Sequence, residues 1–225
     1  MKFYPAMPID GMNRLPEALK VLGHPVERGR DIFWSYRTTS EPVEVKLNAG
    51  CHDVSKTRVN LIHEAAMGYD IGVDPQTYEG RYVEKSDLQA VRIGRVLNDN
   101  IDPVEGMVYQ KFIDTSINEK EFIELRVFYC LGELFTIAKY RLKSDVFGYR
   151  AHHSEVVQPF TKQEKENIVK FCELFGMDFG ELDILHNKRP YVIDVNNVAG
   201  VGLLNETTYP MYYEQVEKLV EWLSE

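Results

Sequence analysis

Apolar positions along the chain alternate between two periods. "DVSKTRVNLIHEAAMGYD" spaces Val59, Ile62 and Ala66 at helical intervals. Ser55 stands where an N-cap is wanted and Gly68 just past the far end, so a helix is predicted between them. "FTKQEKENIVKFCELFGM" is clearer still. Ile168, Phe171, Cys172 and Phe175 share one face, Thr161 can cap the helix, and Glu164 completes a capping box. "YYEQVEKLVEWLSE" predicts a closing amphipathic helix. "KFYPAM" and "DIFWSYR" read as strands around a helix-like "LPEALKVLG", with Gly23 at its end and Pro25 beyond. Further strands are expected in "GRYVEKSD", "IGRVLND" and "GMVYQKFID", and two long ones in "EFIELRVFYCLGELFTIAKYRL" about a turn near Gly132. "SDVFGYRAHHSEVV" keeps neither period and is expected to be irregular. Helices and strands mix without strict alternation, so the predicted class is α+β.

One predicted hairpin raises a chemical question. "LDILHNKRPYVIDVNN", residues 182–197, places Asp183 and Asp194 inside apolar strands. If Asn187 faces Pro190 across the "NKRP" turn, Asp183 lies opposite Asp194 and Glu181 opposite Asn196. Alternation then sends Leu182, Ile184 and His186, with Val195, Ile193 and Tyr191, to a core face. The other face carries Glu181, Asp183 and Leu185 against Asn196, Asp194 and Val192. Two carboxylates about 5 Å apart, at an effective dielectric near 20, repel by roughly 3 kcal/mol. A shared proton or a cation between them would relieve this. Carboxylates with an amide oxygen suit Mg²⁺ or Mn²⁺, which complete their shells with water and phosphate oxygens. A solvent-exposed hairpin face would hold two acids equally well.

Composition narrows the classes. The chain has 225 residues, 44% of them hydrophobic, enough for one large domain or a few small lobes. A net charge of −9, without a basic stripe, argues against nucleic acid as partner. No run approaches the ~18 apolar residues of a membrane span, and the N-terminus lacks the apolar core of a signal peptide. Cys51, Cys130 and Cys172 are scattered in apolar stretches, as expected of buried thiols in a reducing cytoplasm.

Two lysines shift the balance at the hairpin. Lys56 opens the first predicted helix, and Lys85 follows Tyr82 and Val83 inside a strand, where burial would be costly without a phosphate to pair it. Together these features resemble the ATP-grasp superfamily of carboxylate–amine ligases, from about residue 53 to 203 and in the family's order. "SKTRVNLIHEAAMGYDIGVD" is similar to its opening lysine and helix, and "RYVEKSD" to its second lysine strand. "MVYQKFID" resembles the hinge on which adenine stacks, and "IELRVFYCLGELF" with "IAKYRLKSD" the long strands carrying arginines. "GELDIL" and "YVIDVNN" resemble the metal-binding pair.

The resemblance implies two α+β subdomains gripping ATP: residues 51–108 as the small lid subdomain and 109–225 as the large one with the metal site. Residues 1–50 form a short β–α–β segment where the family has a complete domain, which hints at a partner chain, as in a homodimer, covering the site. By position, Lys56 and Lys85 match the phosphate lysines, Lys111, Phe112 and Ile113 fall on the adenine hinge, and Arg126 and Arg141 match basic residues at the transferred phosphate or acyl group. Asp183, Asp194 and Asn196 match ligands of Mg²⁺ or Mn²⁺, although the family more often has Glu at the second position and at Lys111. Departures are a glycine-poor lid, "SDLQAVRIG", where Ser86, Gln89 or Arg92 would substitute, and "VAGVG" in place of a Thr-x-Pro-Gly loop. The implied activity is activation of a small-molecule carboxylate as an acyl phosphate and its coupling to an amine, with ADP and phosphate as products. Rival readings are a phosphotransferase on the same fold and a non-catalytic nucleotide-binding module. His152 and His153 could orient substrate or act as a base, though two adjacent histidines in a loop are more often surface residues.

Overall fold

The computed structural model describes residues 1–5, 14–35, 37–91, 93–145, 151–198 and 209–225. Its elements form three sheets. β1 (Lys2–Pro5), β2 (Glu27–Arg28) and β3 (Ile32–Trp34) pair in parallel in the order β2-β1-β3, with helix α1 (Arg14–Val21) between the first two in sequence. β4 (Tyr82–Ser86), β5 (Gly94–Leu97) and β6 (Met107–Lys111) make a small antiparallel sheet, ordered β5-β4-β6. The largest sheet is antiparallel, ordered β11-β10-β7-β8-β9, from β7 (Glu121–Cys130), β8 (Glu133–Leu142), β9 (His153–Val157), β10 (Phe179–Asn187) and β11 (Arg189–Asn196). Three further helices are α2 (Lys56–Met67), α3 (Lys162–Phe175) and α4 (Tyr209–Ser224).

The helix signals work as chemistry requires. Ser55 caps α2 by accepting from the Arg58 amide, and Gly68 ends it in the left-handed region at φ 77°. Thr161 and Glu164 form the reciprocal box on α3, whose Ile168, Phe171, Cys172 and Phe175 are all buried. One expectation fails: part of "SDVFGYRAHHSEVV" is a strand, β9, paired to β8 from Tyr140↔His153 to Thr136↔Val157. Residues 146–150 of that stretch lie outside the described residues. β9 has only two consecutive valines, and edge pairing against a long neighbour supplies the order that its own sequence does not.

The large sheet has two unlike faces. One carries Leu125, Val127, Tyr129, Leu182, Ile184, Val192 and Val195 onto α2 and α3. The other is divided along its length. Phe128, Cys130, Phe135 and Phe179 are covered by the N-terminal sheet, α1 and α4, in a core with Phe3, Leu15, Trp34 and Tyr212. Further along the same face, Glu124, Arg126, Asp183 and Leu185 are left to line a cavity. The polar half of that face follows directly from period-two alternation past the edge of the covering layer.

Buried polar ties fix the loop before α2. Asn48, wholly buried at φ 59°, donates from its side-chain amide to the Phe179 carbonyl and accepts from the Asp178 and Phe179 amides. A Cβ on Gly50 would collide with the Phe175 carbonyl oxygen, so that close approach requires glycine.

His63 is buried between Tyr69 and Tyr191, and its Nδ1 accepts from the Val192 amide at 3.3 Å. Burial, reinforced by Arg189, pushes its pKa down to about 4. The unfolded chain takes up this proton near pH 6.5, and the fold only near 4. His63 therefore leaves stability intact above pH 6.5 and costs up to about 3 kcal/mol as pH falls towards 4. In urea unfolding at pH 7 and pH 4.5, His63→Gln is expected to lose clearly less than wild type on acidification; equal losses would refute the assignment.

Candidate functional site

The cavity holds about 700 Å³ and is walled by the small sheet, the start of α2 and the open half of the large sheet. It brings together Lys56, Lys85, Lys111, Phe112, Ile113, Arg126, Arg141, Asp183, Asp194 and Asn196. Such a volume accommodates a ligand of nucleotide size.

Each lysine arrives by a different route. On β4, Tyr82, Glu84 and Ser86 are buried, and alternation turns Val83 and Lys85 to the cavity. Lys85 Nζ donates to the Ile193 carbonyl at 2.9 Å. Lys56, in the first turn of α2, is buried; its Nζ donates to the Leu88 carbonyl at 3.0 Å and lies 3.7 Å from Asp194 Oδ1. Burial pushes the Lys85 pKa down to about 8; Asp194 opposes this and Lys56 adds to it.

A ladder of charges crosses the floor. Arg126 grips Asp183 with two parallel bonds, Nε to Oδ1 at 3.0 Å and Nη2 to Oδ2 at 3.1 Å, and reaches Glu181 through Nη1 at 3.0 Å. Lys139 Nζ is 2.9 Å from Asp183 Oδ1 and also touches Glu124. Arg141 Nη1 donates to Glu124 at 2.6 Å. Burial works against the Asp183 carboxylate, yet Arg126 and Lys139 outweigh it and hold its pKa well below the usual range. Burial pushes Glu181 up to about 7 against the pull of Arg126, and among the described residues its Oε1 has no hydrogen-bond partner. Burial also raises Asp194, despite Lys56 and Lys85 nearby.

The hairpin register holds at the acids and differs at the turn. Asp183 pairs with Asp194 and Glu181 with Asn196. Beyond a bulge at Asp183/Ile184 the pairing is Ile184↔Val192, His186↔Pro190 and Asn187↔Arg189, so the turn is one residue tighter than expected, with Lys188 at φ 62°. Ile193 is the residue without a partner in that ladder. The expected faces of Val192 and Ile193 are therefore exchanged: Val192 is buried in the core, and Ile193 lines the cavity beside Asp194.

At the hinge, Arg81 stacks over Phe112 at 3.9 Å. The Lys111 amide donates to the Ile71 carbonyl, and its ammonium pairs with Asp70 at 2.5 Å. The Phe112 amide donates to the Arg81 carbonyl. Among the described residues nothing accepts from the Ile113 amide, which is the hinge N–H open to a planar acceptor.

Among the described residues, no three Asp, Glu, His or Cys side chains form a metal nest of their own. The donor set nevertheless fits an ion shared with a phosphorylated ligand. Asp194 is half-buried and its charged form is penalised, which a cation would relieve; Asn196 lies two residues on along the same face, and the unpartnered Glu181 oxygen is in the same patch.

Sequence reasoning did not single out Glu124 or Lys139, although both line the cavity. The signal was present: the turn at Leu131–Gly132 sets Lys139 opposite Glu124. His152 and His153 do not line the cavity; His152 pairs with Glu121 at 2.6 Å, and His153 sits in β9. Of the suggested lid groups, Ser86 is buried in β4 and the Gln89 amide is tied to Thr38 Oγ1. Arg92, and "VAGVG" beyond Val198, lie outside the described residues.

No protein-family model matches this chain, and no curated protein matches it. Solved structures do. A RimK domain ATP-grasp protein from Sphaerobacter thermophilus is similar at a TM-score of 0.59 and 12% identity, over 98% of each chain. The macrocyclase MdnC from Microcystis aeruginosa, bound with the precursor peptide MdnA, is similar at 0.55 and 18% identity, over 97% of this chain and 77% of that one. The ATP-grasp ligase PsnB, complexed with the precursor peptide PsnA2 and AMPPNP, is similar at 0.55 and 13% identity, over 79% of this chain. The matched region spans 61% of PsnB. The chain has the ATP-grasp fold.

Proposed function

We propose that the chain is an ATP- and magnesium-dependent ligase that activates a carboxylate as an acyl phosphate and couples it to an amine. The observation that carries this reading is the meeting of Lys56 and Lys85, from two separate elements, with Asp194 in one cavity on this fold. Lys56 and Lys85 would hold the β- and γ-phosphates, while Val83, Phe112, Leu185 and Ile193 would enclose the base. Asp194 and Asn196, with the Glu181 oxygen beside them, would hold Mg²⁺, which when bound neutralises phosphate charge, while Asp183, matched to a ligand by the resemblance, is tied to Arg126 and Lys139. Attack of the substrate carboxylate oxygen on the γ-phosphorus expels ADP and forms the acyl phosphate. The amine nitrogen then adds to the acyl carbon, phosphate leaves, and the nitrogen loses a proton. Arg126 and Arg141 would stabilise charge on the transferring group and the carboxylate; catalysis is then positioning and electrostatics.

The deciding experiment is an ADP-release screen of carboxylates against amines with Mg²⁺, with products identified by mass. It should include peptides with acidic and lysine side chains, because the similar MdnC and PsnB structures hold precursor peptides. ADP release that requires both substrates supports the ligase. Release with a carboxylate or hydroxyl compound alone, and no amide, favours a phosphotransferase. Absence of ATP binding by calorimetry would overturn the reading. Among the described residues no helix is long and apolar enough to cross a membrane.

Lys85 sets a pH dependence. With its pKa near 8, the free site carries a charged Lys85 below that pH and loses it above. ATP affinity is expected to be level below pH 8 and to fall about tenfold per unit above it. Lys85→Met should bind more weakly at pH 7 and show no such fall; an unchanged slope in that variant would remove Lys85 from the phosphate site.

A further inference from the structure

Lys139 sits where a cation between two acids is needed. Its buried ammonium touches Glu124 and lies 2.9 Å from Asp183 Oδ1. β8 sets it directly opposite Glu124, and the pairing of β7 with β10 brings Asp183 alongside through Arg126. Phosphoryl-transfer sites work with one divalent ion or with two that stand about 3.5–4 Å apart. Even where one carboxylate bridges both ions, a second ion needs a further carboxylate oxygen that no side-chain cation holds. Here both oxygens of Asp183 accept from Arg126, and Oδ1 also from Lys139. Both oxygens of Glu124 are taken as well, one by Lys139 and one by Arg141. What remains, Asp194, Asn196 and the unpartnered oxygen of Glu181, serves one ion.

We propose that the Lys139 ammonium stands in for a second divalent ion, so that the site takes a single Mg²⁺ or Mn²⁺ per bound nucleotide. This rests on the ATP reading of the cavity. The test uses the full chain, AMPPNP and Mn²⁺, with bound manganese counted by electron paramagnetic resonance. Wild type is expected to hold one Mn²⁺ per nucleotide, with no spin coupling between ions. Lys139→Met should hold two, with a coupled spectrum, and Lys139→Arg should stay at one. Glu124 keeps Arg141 and Asp183 keeps Arg126 in the Met variant, which favours folding; Lys139→Gln serves as a second neutral variant. Two ions in wild type, or a single ion in both neutral variants, would overturn the inference. Failure of wild type to bind AMPPNP would instead overturn the ATP reading, and the inference with it.

Discussion

Asp194→Asn is expected to cut ADP release about a thousandfold while leaving the fold no less stable than wild type at pH 7. The two halves have one cause. Burial already penalises the charged form of Asp194, and the carboxylate faces Asp183 across the hairpin. Replacing it with the neutral amide removes that penalty. In the ligase reading the same charge is a ligand for the ion, and losing it forfeits several kcal/mol of transition-state stabilisation, roughly 4 kcal/mol for a thousandfold. ADP release and urea unfolding, measured on one preparation, check both halves. Wild-type turnover in the variant would remove Asp194 from the metal site.

Arg126→Met should destabilise the chain by about 3–5 kcal/mol, because it leaves two buried acids short of their shared counter-charge. Arg126 is the bidentate partner of Asp183 and the ion-pair partner of Glu181. Without it the folded-state pKa of both acids rises, so the loss should grow with pH from the strongly acidic range where wild-type Asp183 ionises, grow further above about 7 where wild-type Glu181 does, and vanish only at strongly acidic pH. Adding Asp183→Asn should recover part of the loss. A cost below 1 kcal/mol at pH 7 would mean that these acids are not shielded from water.

The helices were legible because caps and apolar faces are local signals. Thr161, Glu164 and the Ile168–Phe175 face predict α3, and its packing adds nothing that contradicts them. The opposition of Asp183 and Asp194 is also legible in the alternation, although the turn is not. The turn expected from the sequence is one residue longer than the observed one, and a bulge cancels the difference before the acids are reached. Period-two alternation contains no information about a bulge, so the exchange of Val192 and Ile193 could not be read from it. Lys139 was missed for another reason. In "IAKYRL" a lysine between apolar residues looks like a solvent-facing position, and only the pairing across Leu131–Gly132 reveals Glu124 opposite it. β9 escaped because its order comes from β8 and not from its own residues.

The surplus residue in β11 has a use of its own. Were Ile193 excised, Val192 would still pair with Ile184, and the next residue, the present Asp194, would still meet Asp183 and face the cavity. The strand thus carries one residue more than its zipping requires. The main-chain oxygen of that residue is where the Lys85 ammonium docks. An excision variant would therefore retain its acids and strip the lysine of its resting place, separating the parking of a cation from the architecture that surrounds it.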